Sequence, residues 1–264
     1  MFFLAALMGI IEGLTEFVPV SSTGHLILFG DVLGFEGPGS KTFEIVIQLG
    51  AILAVCWLFR AKLLTTAEGM VRQREKDWRF AIGILLAFLP SMLLGVVMYK
   101  TIKTVLFNPV NVAIMLIVGG VAILAVERLK PKPRYHNLDK LPLPLCLKIG
   151  LCQCLALIPG TSRSGATIIG ALLLGVDRKT ATEFSFFLAI PTMLAATVYD
   201  IYKNWSSLSL DDAQLIAAGF LAAFVTALLV VRKVVGYIER HGFAPFAYYR
   251  IALGAVMLVL LFSR

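Results

Sequence analysis

The sequence predicts an all-α polytopic membrane protein with six transmembrane helices and two re-entrant helical hairpins, arranged as an inverted-topology repeat. The first observation is the composition: of 264 residues, 59% are hydrophobic and 15% charged, and the mean hydropathy is +0.87. Soluble domains are about 45–50% apolar and about 25% charged, so a soluble, disordered or collagen-like chain is excluded. The net charge of +8 therefore indicates membrane topology and anionic partners, not nucleic acid.

The second observation is a set of long apolar segments. A transmembrane helix needs about 20 mostly apolar residues. Six segments meet or approach this length: 42–60, 80–99, 104–126, 184–199, 213–231 and 243–263. Arg250 interrupts the last segment near its start.

The third observation is a pair of broken apolar stretches, residues 1–33 and 149–176. Each has a polar break, at residues 19–25 and 159–165, that separates two short apolar runs. An 11-residue run such as 1–11 forms a helix of about 16 Å, which is half a bilayer. Each stretch is therefore interpreted as a re-entrant hairpin, and the alternative is one broken span.

The two hairpins are similar in sequence. At an offset of 141 residues, the matching pairs are Gly9 and Gly150, Leu14 and Leu155, Ser21 and Ser162, Gly24 and Gly165, and Gly34 and Gly175. A hairpin plus three spans crosses the membrane an odd number of times, so the second copy is inverted, and its site lies near the midplane. The prediction is a single membrane domain, 1–264, with repeats at about 1–130 and about 145–264.

The distribution of Lys and Arg orients this topology. One side receives 17 of the 24 Lys and Arg residues and the other side receives five. The richer side is cytoplasmic by the positive-inside rule. Both termini are then extracytoplasmic, and we expect the site to open outward.

Two carboxylates lie in the first hairpin, at Glu12 and Glu16. The i, i+4 spacing places them on one helix face. A charge at membrane depth costs about 2.5–3.5 kcal/mol, and such groups are functional by default. The pair needs a cation, a shared proton or a basic partner, unless both carboxylates are solvated at the interface.

Hydroxyl groups and a histidine follow these carboxylates. Ser21, Ser22 and Thr23 precede a helix, where they cap free N–H groups and favour an anion, although capping alone is an alternative. His25 is a candidate general base, acid or nucleophile, or a structural hydrogen-bonding group.

Arg163 lies at the second break between Ser162 and Ser164. Its planar guanidinium suits a phosphate group. The alternative is a salt bridge to Glu12 or Glu16, and both roles can coexist. The two breaks together predict a site for a phosphorylated substrate embedded in the membrane.

Residues 12–25 (EGLTEFVPVSSTGH) and 159–167 (PGTSRSGAT) closely resemble the undecaprenyl-diphosphate phosphatase family of the bacitracin-resistance type. Its two signatures, Glu/Gln-x3-Glu and Pro-Gly-x-Ser-Arg-Ser-x2-Thr, occur without departure, and the resemblance covers essentially the full chain. It implies an enzyme of the bacterial inner membrane that converts undecaprenyl diphosphate in the bilayer to undecaprenyl phosphate for peptidoglycan synthesis. It also implies a divalent cation, Mg²⁺ or Ca²⁺.

Motifs and resemblance together predict the site residues. The predicted catalytic residues are Glu16, Ser22, His25 and Arg163. Substrate binding is expected from Ser21, Thr23, Ser162, Ser164 and Thr167, and metal binding from Glu12 and Glu16. The nucleophile is Ser22, His25 or water. A transporter or flippase of a phosphorylated lipid is the rival function, since inverted repeats are typical of transporters. The sequence leaves a homodimer open.

Overall fold

The computed structural model describes residues 1–35, 40–106, 108–129, 131–204 and 213–263. Within these ranges the α-helices are α1 (Phe2–Thr15), α2 (Ser22–Leu33), α3 (Ser40–Leu58), α4 (Arg60–Val71), α5 (Glu75–Thr101), α6 (Pro109–Leu129), α7 (Leu143–Gln153), α8 (Arg163–Leu173), α9 (Arg178–Asn204), α10 (Ala213–His241) and α11 (Ala244–Phe262). A π-helical turn (Ile102–Leu106) follows α5, and 3-10 turns lie at Leu138–Lys140 and Cys154–Leu157.

Several of these helices are long and apolar enough to cross a bilayer, which confirms the multi-pass membrane class. In the described part of the chain they are α5, α6, α9, α10 and α11. The predicted span at 42–60 corresponds to α3, which bends by 70° into α4 and makes a sixth span if the pair is counted as one. Side chains such as Val97, 81% exposed, form the surface that faces lipid.

The helices extend beyond the apolar segments that predicted them. The segment 213–231 belongs to α10, which continues to His241, and the segment 184–199 belongs to α9, which begins at Arg178. A helix keeps its backbone hydrogen bonds where its side chains become charged, so the apolar segment measures only the part within the hydrocarbon.

Each predicted hairpin is a pair of short helices in contact, α1 with α2 and α7 with α8. The 14 residues of α1 span about 21 Å, less than the hydrocarbon core of about 30 Å. The second hairpin begins at Leu143, earlier than the predicted residue 149, and its first helix ends in the 3-10 turn.

The two halves of the chain pack crosswise, which means that a helix of one half contacts a helix of the other. Helix α1 of the first half contacts α10 of the second, and α7 of the second half contacts α5 of the first. Glycines allow both approaches: a Cβ at Gly9 would overlap the backbone oxygen of Gly219, and a Cβ at Gly150 would overlap that of Ala87. Gly9 and Gly150 are one of the pairs related by the 141-residue offset. Crosswise packing brings the two breaks together inside the bundle.

Candidate active site

The two breaks have the same backbone geometry where their second helices begin. Ser21 and Ser162 cap α2 and α8 with left-handed φ angles of 67° and 74°. Their side-chain oxygens accept hydrogen bonds from the N–H groups of Gly24 and Gly165, at 3.4 and 3.1 Å. Such a backbone costs about 1–3 kcal/mol per residue and clusters at functional sites.

A polar cavity of about 240 Å³ lies between the two breaks. Among the predicted residues, it is lined by Glu16, Ser21, Ser22, Thr23, Ser162 and Arg163. The remaining lining residues are Gln48, Ala156, Pro159, Gly160, Met193 and Ala196. Because the first residues of both α2 and α8 line it, the cavity lies at two helix N-termini, which favour an anion.

Arg163, Glu16 and Ser22 form a hydrogen-bonded chain in this cavity. Arg163 Nη2 donates to Glu16 Oε1 at 3.0 Å, and Ser22 Oγ donates to Glu16 Oε2 at 2.5 Å. Arg163 Nη1 also donates to the carbonyl of Ser185 at 2.9 Å, whereas Arg163 Nε has no partner within the described ranges. The alternative of a salt bridge is therefore present, with Glu16, and Arg163 Nε is a buried N–H without a partner in the described ranges.

Glu12 lies one helical turn before Glu16 and is fully buried. Neither of its carboxylate oxygens has a hydrogen-bond partner in the described part of the chain. Its charged neighbours are Glu16, Glu44 and Arg163. A buried carboxylate without a partner is costly, so Glu12 needs a proton or a cation.

The two carboxylates suit Mg²⁺ as ligands. The described residues contain no group of three or more His, Cys, Asp or Glu side chains able to hold a metal. Mg²⁺ typically binds through one or two carboxylates and completes its shell with waters and substrate phosphates. The orphaned carboxylate of Glu12 beside Glu16 fits this pattern.

His25 is buried next to the cavity and is not among its lining residues. Its Nδ1 lies 2.8 Å from the carbonyl of Ser21, and its Nε2 lies 2.7 Å from the hydroxyl of Tyr249. A carbonyl only accepts, so Nδ1 carries the proton, and in the neutral ring Nε2 accepts from Tyr249. The hydrogen bond of Ser22 therefore goes to Glu16 and not to His25.

Ser164 and Thr167 lie behind the cavity, fully buried. Ser164 Oγ donates to the carbonyl of Val18 at 3.1 Å and thereby ties α8 to the first break. Thr167 Oγ1 hydrogen-bonds to Gln153 Oε1 at 3.2 Å and to the carbonyl of Arg163 at 2.9 Å. In this structure both hydroxyls fix the position of α8.

Sequence reasoning missed the structural role of Arg250, which is buried to 1% exposure. It donates to five backbone carbonyls at 3.0–3.3 Å, those of Pro19, Met115, Leu116, Gly160 and Thr161. The guanidinium thus joins both breaks to α6. The sequence did contain a signal for this role, because Arg250 is a charged residue inside the apolar segment 243–263.

Gln48 and Tyr249 were missed as well. Gln48 is an amide inside the apolar segment 42–60, and this polarity could have marked it as a cavity residue. Tyr249 carried no such signal, because its contact with His25 spans 224 residues of sequence.

Comparison with known proteins places these features in a family. A family model described as bacitracin resistance protein BacA matches residues 5–256. The chain is 55% identical over 260 residues to undecaprenyl-diphosphatase 2 of Paramagnetospirillum magneticum, covering 98% of this chain and 99% of the relative. It is 55% identical to undecaprenyl-diphosphatase 1 of Agrobacterium fabrum, covering 97% and 96%. It is 53% identical to undecaprenyl-diphosphatase of Nitrosospira multiformis, covering 97% and 94%.

Proposed function

Because the chain belongs to the bacitracin resistance protein BacA family, we propose that it hydrolyses undecaprenyl diphosphate to undecaprenyl phosphate and inorganic phosphate. The hydrogen-bonded chain of Arg163, Glu16 and Ser22 in a polar cavity at two helix N-termini carries this proposal. The product is a lipid carrier for peptidoglycan synthesis, and its recycling confers bacitracin resistance.

The cavity binds the diphosphate through groups that favour negative charge. Arg163 lines the cavity with its positive charge, and the N-termini of α2 and α8 offer free backbone N–H groups. The hydroxyls of Thr23 and Ser162 line the same space. Phosphoryl transfer depends mostly on such positioning and charge stabilisation.

Ser22 is the nucleophile in this mechanism, and Glu16 is its base. Ser22 Oγ attacks the terminal phosphorus, its proton passes to Glu16, and the bond from that phosphorus to the bridging oxygen breaks. Undecaprenyl phosphate leaves with the electron pair of that bond. Water then attacks the phosphoserine, phosphate is released, and Ser22 regains a proton. The 2.5 Å hydrogen bond from Ser22 to Glu16 supports this assignment over a Ser22–His25 pair.

His25 positions the break in this mechanism. Its Nδ1–H holds the carbonyl of Ser21, the residue that caps α2. The orientation of the Ser22 and Thr23 N–H groups depends on that cap.

Glu12 and Glu16 would hold a divalent cation. Two carboxylates suit Mg²⁺ better than Ca²⁺, because Mg²⁺ keeps several of its waters and needs only one or two carboxylate ligands. When bound, such an ion neutralises charge that develops on phosphate oxygens. Glu12 supports this because neither oxygen of its buried carboxylate has a hydrogen-bond partner in the described ranges.

The proposed enzyme lies in the bacterial inner membrane with both termini and its site on the extracytoplasmic side. The distribution of Lys and Arg supports this orientation. Cysteines introduced one at a time at positions 263 and 241 test it, in a variant from which the four native cysteines have been removed. An impermeant maleimide should label only the first in intact cells. Labelling of position 241 alone would overturn the orientation.

The experiment that tests the activity is phosphate release from undecaprenyl diphosphate by the purified protein in detergent. The assay is run in chelator and then with Mg²⁺ or Ca²⁺ added back singly. We expect no release in chelator, restoration by Mg²⁺, and none from a Ser22→Ala variant. A transporter of phosphorylated lipid would release no phosphate under any condition, and that outcome would overturn the proposal.

A further inference from the structure

We propose that an apolar groove between α5 and α9 binds the part of the substrate's isoprenoid chain nearest the diphosphate. This inference rests on the proposed function. The groove has a volume of about 650 Å³, within the usual range for ligand pockets. It is too small for the whole polyprenyl chain and holds only the isoprene units closest to the head group.

Two helical stripes form the walls of the groove. On α5 the lining residues are Phe88, Ser91, Met92, Gly95, Val96, Tyr99 and, in the turn that follows, Ile102. On α9 they are Thr192, Ala195, Ala196, Val198, Tyr199 and Tyr202. Most of these positions recur every three or four residues, which places them on one face of each helix.

The groove adjoins the polar cavity. Ala196 lines both spaces. Met193, one turn earlier on α9, lines the cavity and accepts a contact from Arg163 Nη2 at 3.4 Å. On the second hairpin, Ala156 lines the cavity and the adjacent Leu157 lines the groove. A diphosphate held at Arg163 therefore has an apolar path directly beside it.

The groove extends along one half of the bilayer. Ser91 hydrogen-bonds to Gln153 near the level of the cavity, and Ile102 lies at the opposite end of the groove. Eleven residues separate them, a rise of about 16 Å, or half of a hydrocarbon core of about 30 Å. The far end follows α5 away from Glu75 and the Lys- and Arg-rich loops, toward the side assigned as extracytoplasmic.

The groove is open to the surrounding lipid. Val96 and Val198 line it and are 56% and 59% exposed. The rings of Tyr99 and Tyr199 pack edge to face at its far end, with centroids 5.1 Å apart, and tyrosines are typical of the interface with water. A chain can therefore enter sideways from the outer leaflet while its head group slides into the cavity.

A bulky residue at position 95 tests the groove. A Cβ at Gly95 would contact only Leu157, at an ordinary 3.6 Å, so Gly95→Phe fits the backbone and fills the groove. The matched control is Val97→Phe on the same helix, because Val97 faces lipid and does not line the groove. Both variants are assayed with undecaprenyl diphosphate and with isopentenyl diphosphate, which has one isoprene unit and no long chain.

We expect Gly95→Phe to raise the KM for undecaprenyl diphosphate at least about tenfold. The KM for isopentenyl diphosphate should rise less, because its single isoprene unit occupies only the end of the groove beside the cavity. Val97→Phe should leave both values unchanged. Equal KM values for undecaprenyl diphosphate in Gly95→Phe and wild type would overturn the proposal that the groove binds the isoprenoid chain. A wild type that releases no phosphate from either substrate would instead overturn the proposed function.

Photolabelling of the wild-type protein provides a second measurement that needs no variant. A prenyl diphosphate with a diazirine in its second isoprene unit should label peptides of α5 and α9. Excess undecaprenyl phosphate should compete, whereas phosphatidylglycerol should not. Labelling confined to other helices, or equal competition by phosphatidylglycerol, would overturn the assignment.

Discussion

Arg163 Nη2 lies 3.0 Å from Glu16 Oε1, and this ion pair joins the breaks of the two hairpins. Both side chains are largely buried, with 12% and 8% exposed. Glu16 also accepts from Ser22, so the guanidinium orients the proposed base and adds a positive charge to the cavity that would take the phosphate. The pair thus couples substrate binding to the nucleophile.

Replacement of this guanidinium should abolish turnover. We expect Arg163→Ala to lower kcat by about 100-fold or more, since a preorganised donor to transition-state charge is typically worth that much. Arg163→Lys should recover little, because an ammonium on a flexible stem lacks the rigid planar fork that holds the Glu16 carboxylate and the Ser185 carbonyl together. Phosphate release from undecaprenyl diphosphate measures the effect.

Arg60→Ala is the control for this prediction, since Arg60 lies at the exposed start of α4. It should keep wild-type activity. Each variant should also elute as a monodisperse peak in detergent, which separates loss of chemistry from loss of folding. Near-normal turnover by Arg163→Ala would refute its role with phosphate.

Ser22 should carry the phosphoryl group during turnover. With the terminal phosphate of the substrate radiolabelled, rapid quench of the wild type should trap labelled protein. Ser22→Ala should trap none and release no phosphate, whereas Thr65→Ala, which removes an exposed hydroxyl of α4, should behave as wild type. If the wild type turns over without any covalent label, water is the nucleophile and Ser22 is not.

The sequence predicted the parts of this molecule that depend on local pattern. Apolar length identified the spans, and polar breaks within short apolar runs identified the hairpins. Ser21 and Ser162 were matched by a fixed offset, and both cap helices with the same unusual backbone. These features could be predicted from the sequence because each depends on neighbouring residues along the chain.

Contacts between segments distant in the chain could not be predicted from the sequence. Nothing in the pattern pairs His25 with Tyr249, or Arg250 with carbonyls of both breaks, because crosswise packing of the halves creates those contacts. Ser164 and Thr167 share a motif with Arg163, yet they face away from the cavity. A motif identifies a helix start, and helix packing decides which of its side chains reach the site.

The hydroxyl of Tyr249 should be required to hold His25. Tyr249→Phe leaves Nε2 of a buried imidazole without its partner, at a cost of about 1–3 kcal/mol. We expect lower thermal stability in detergent and reduced kcat. In a His25→Ala background the same change should have almost no further effect, which a double-mutant cycle measures.

Tyr248→Phe is the matched control for this hydrogen bond. Tyr248 is the preceding residue and is 61% exposed, so loss of its hydroxyl should change neither stability nor kcat. Additive effects of Tyr249→Phe and His25→Ala would contradict a direct coupling between the two side chains.

Arg250 should stabilise the fold. Arg250→Met preserves the apolar stem and leaves five backbone carbonyls without a charged donor, which we expect to cost about 3 kcal/mol or more. Arg250→Lys should be intermediate, because an ammonium has three donors. The melting temperature in detergent reports the loss, and Arg232→Met on the exposed face of α10 serves as the control. An unchanged melting temperature in Arg250→Met would show that these hydrogen bonds do not hold the breaks together.

The close approach of α7 to α5 at Gly150 should be essential to the stability of the second hairpin. A Cβ there would overlap the backbone oxygen of Ala87 on α5, so Gly150→Ala should push α7 away from α5 and lower the melting temperature. Gly236→Ala is the matched control, since its Cβ would meet nothing within 4 Å. Alanine is a better helix former than glycine by about 1 kcal/mol, so Gly236→Ala should be neutral or stabilising. Equal melting temperatures in the two variants would mean that α7 can shift away from α5 at no cost.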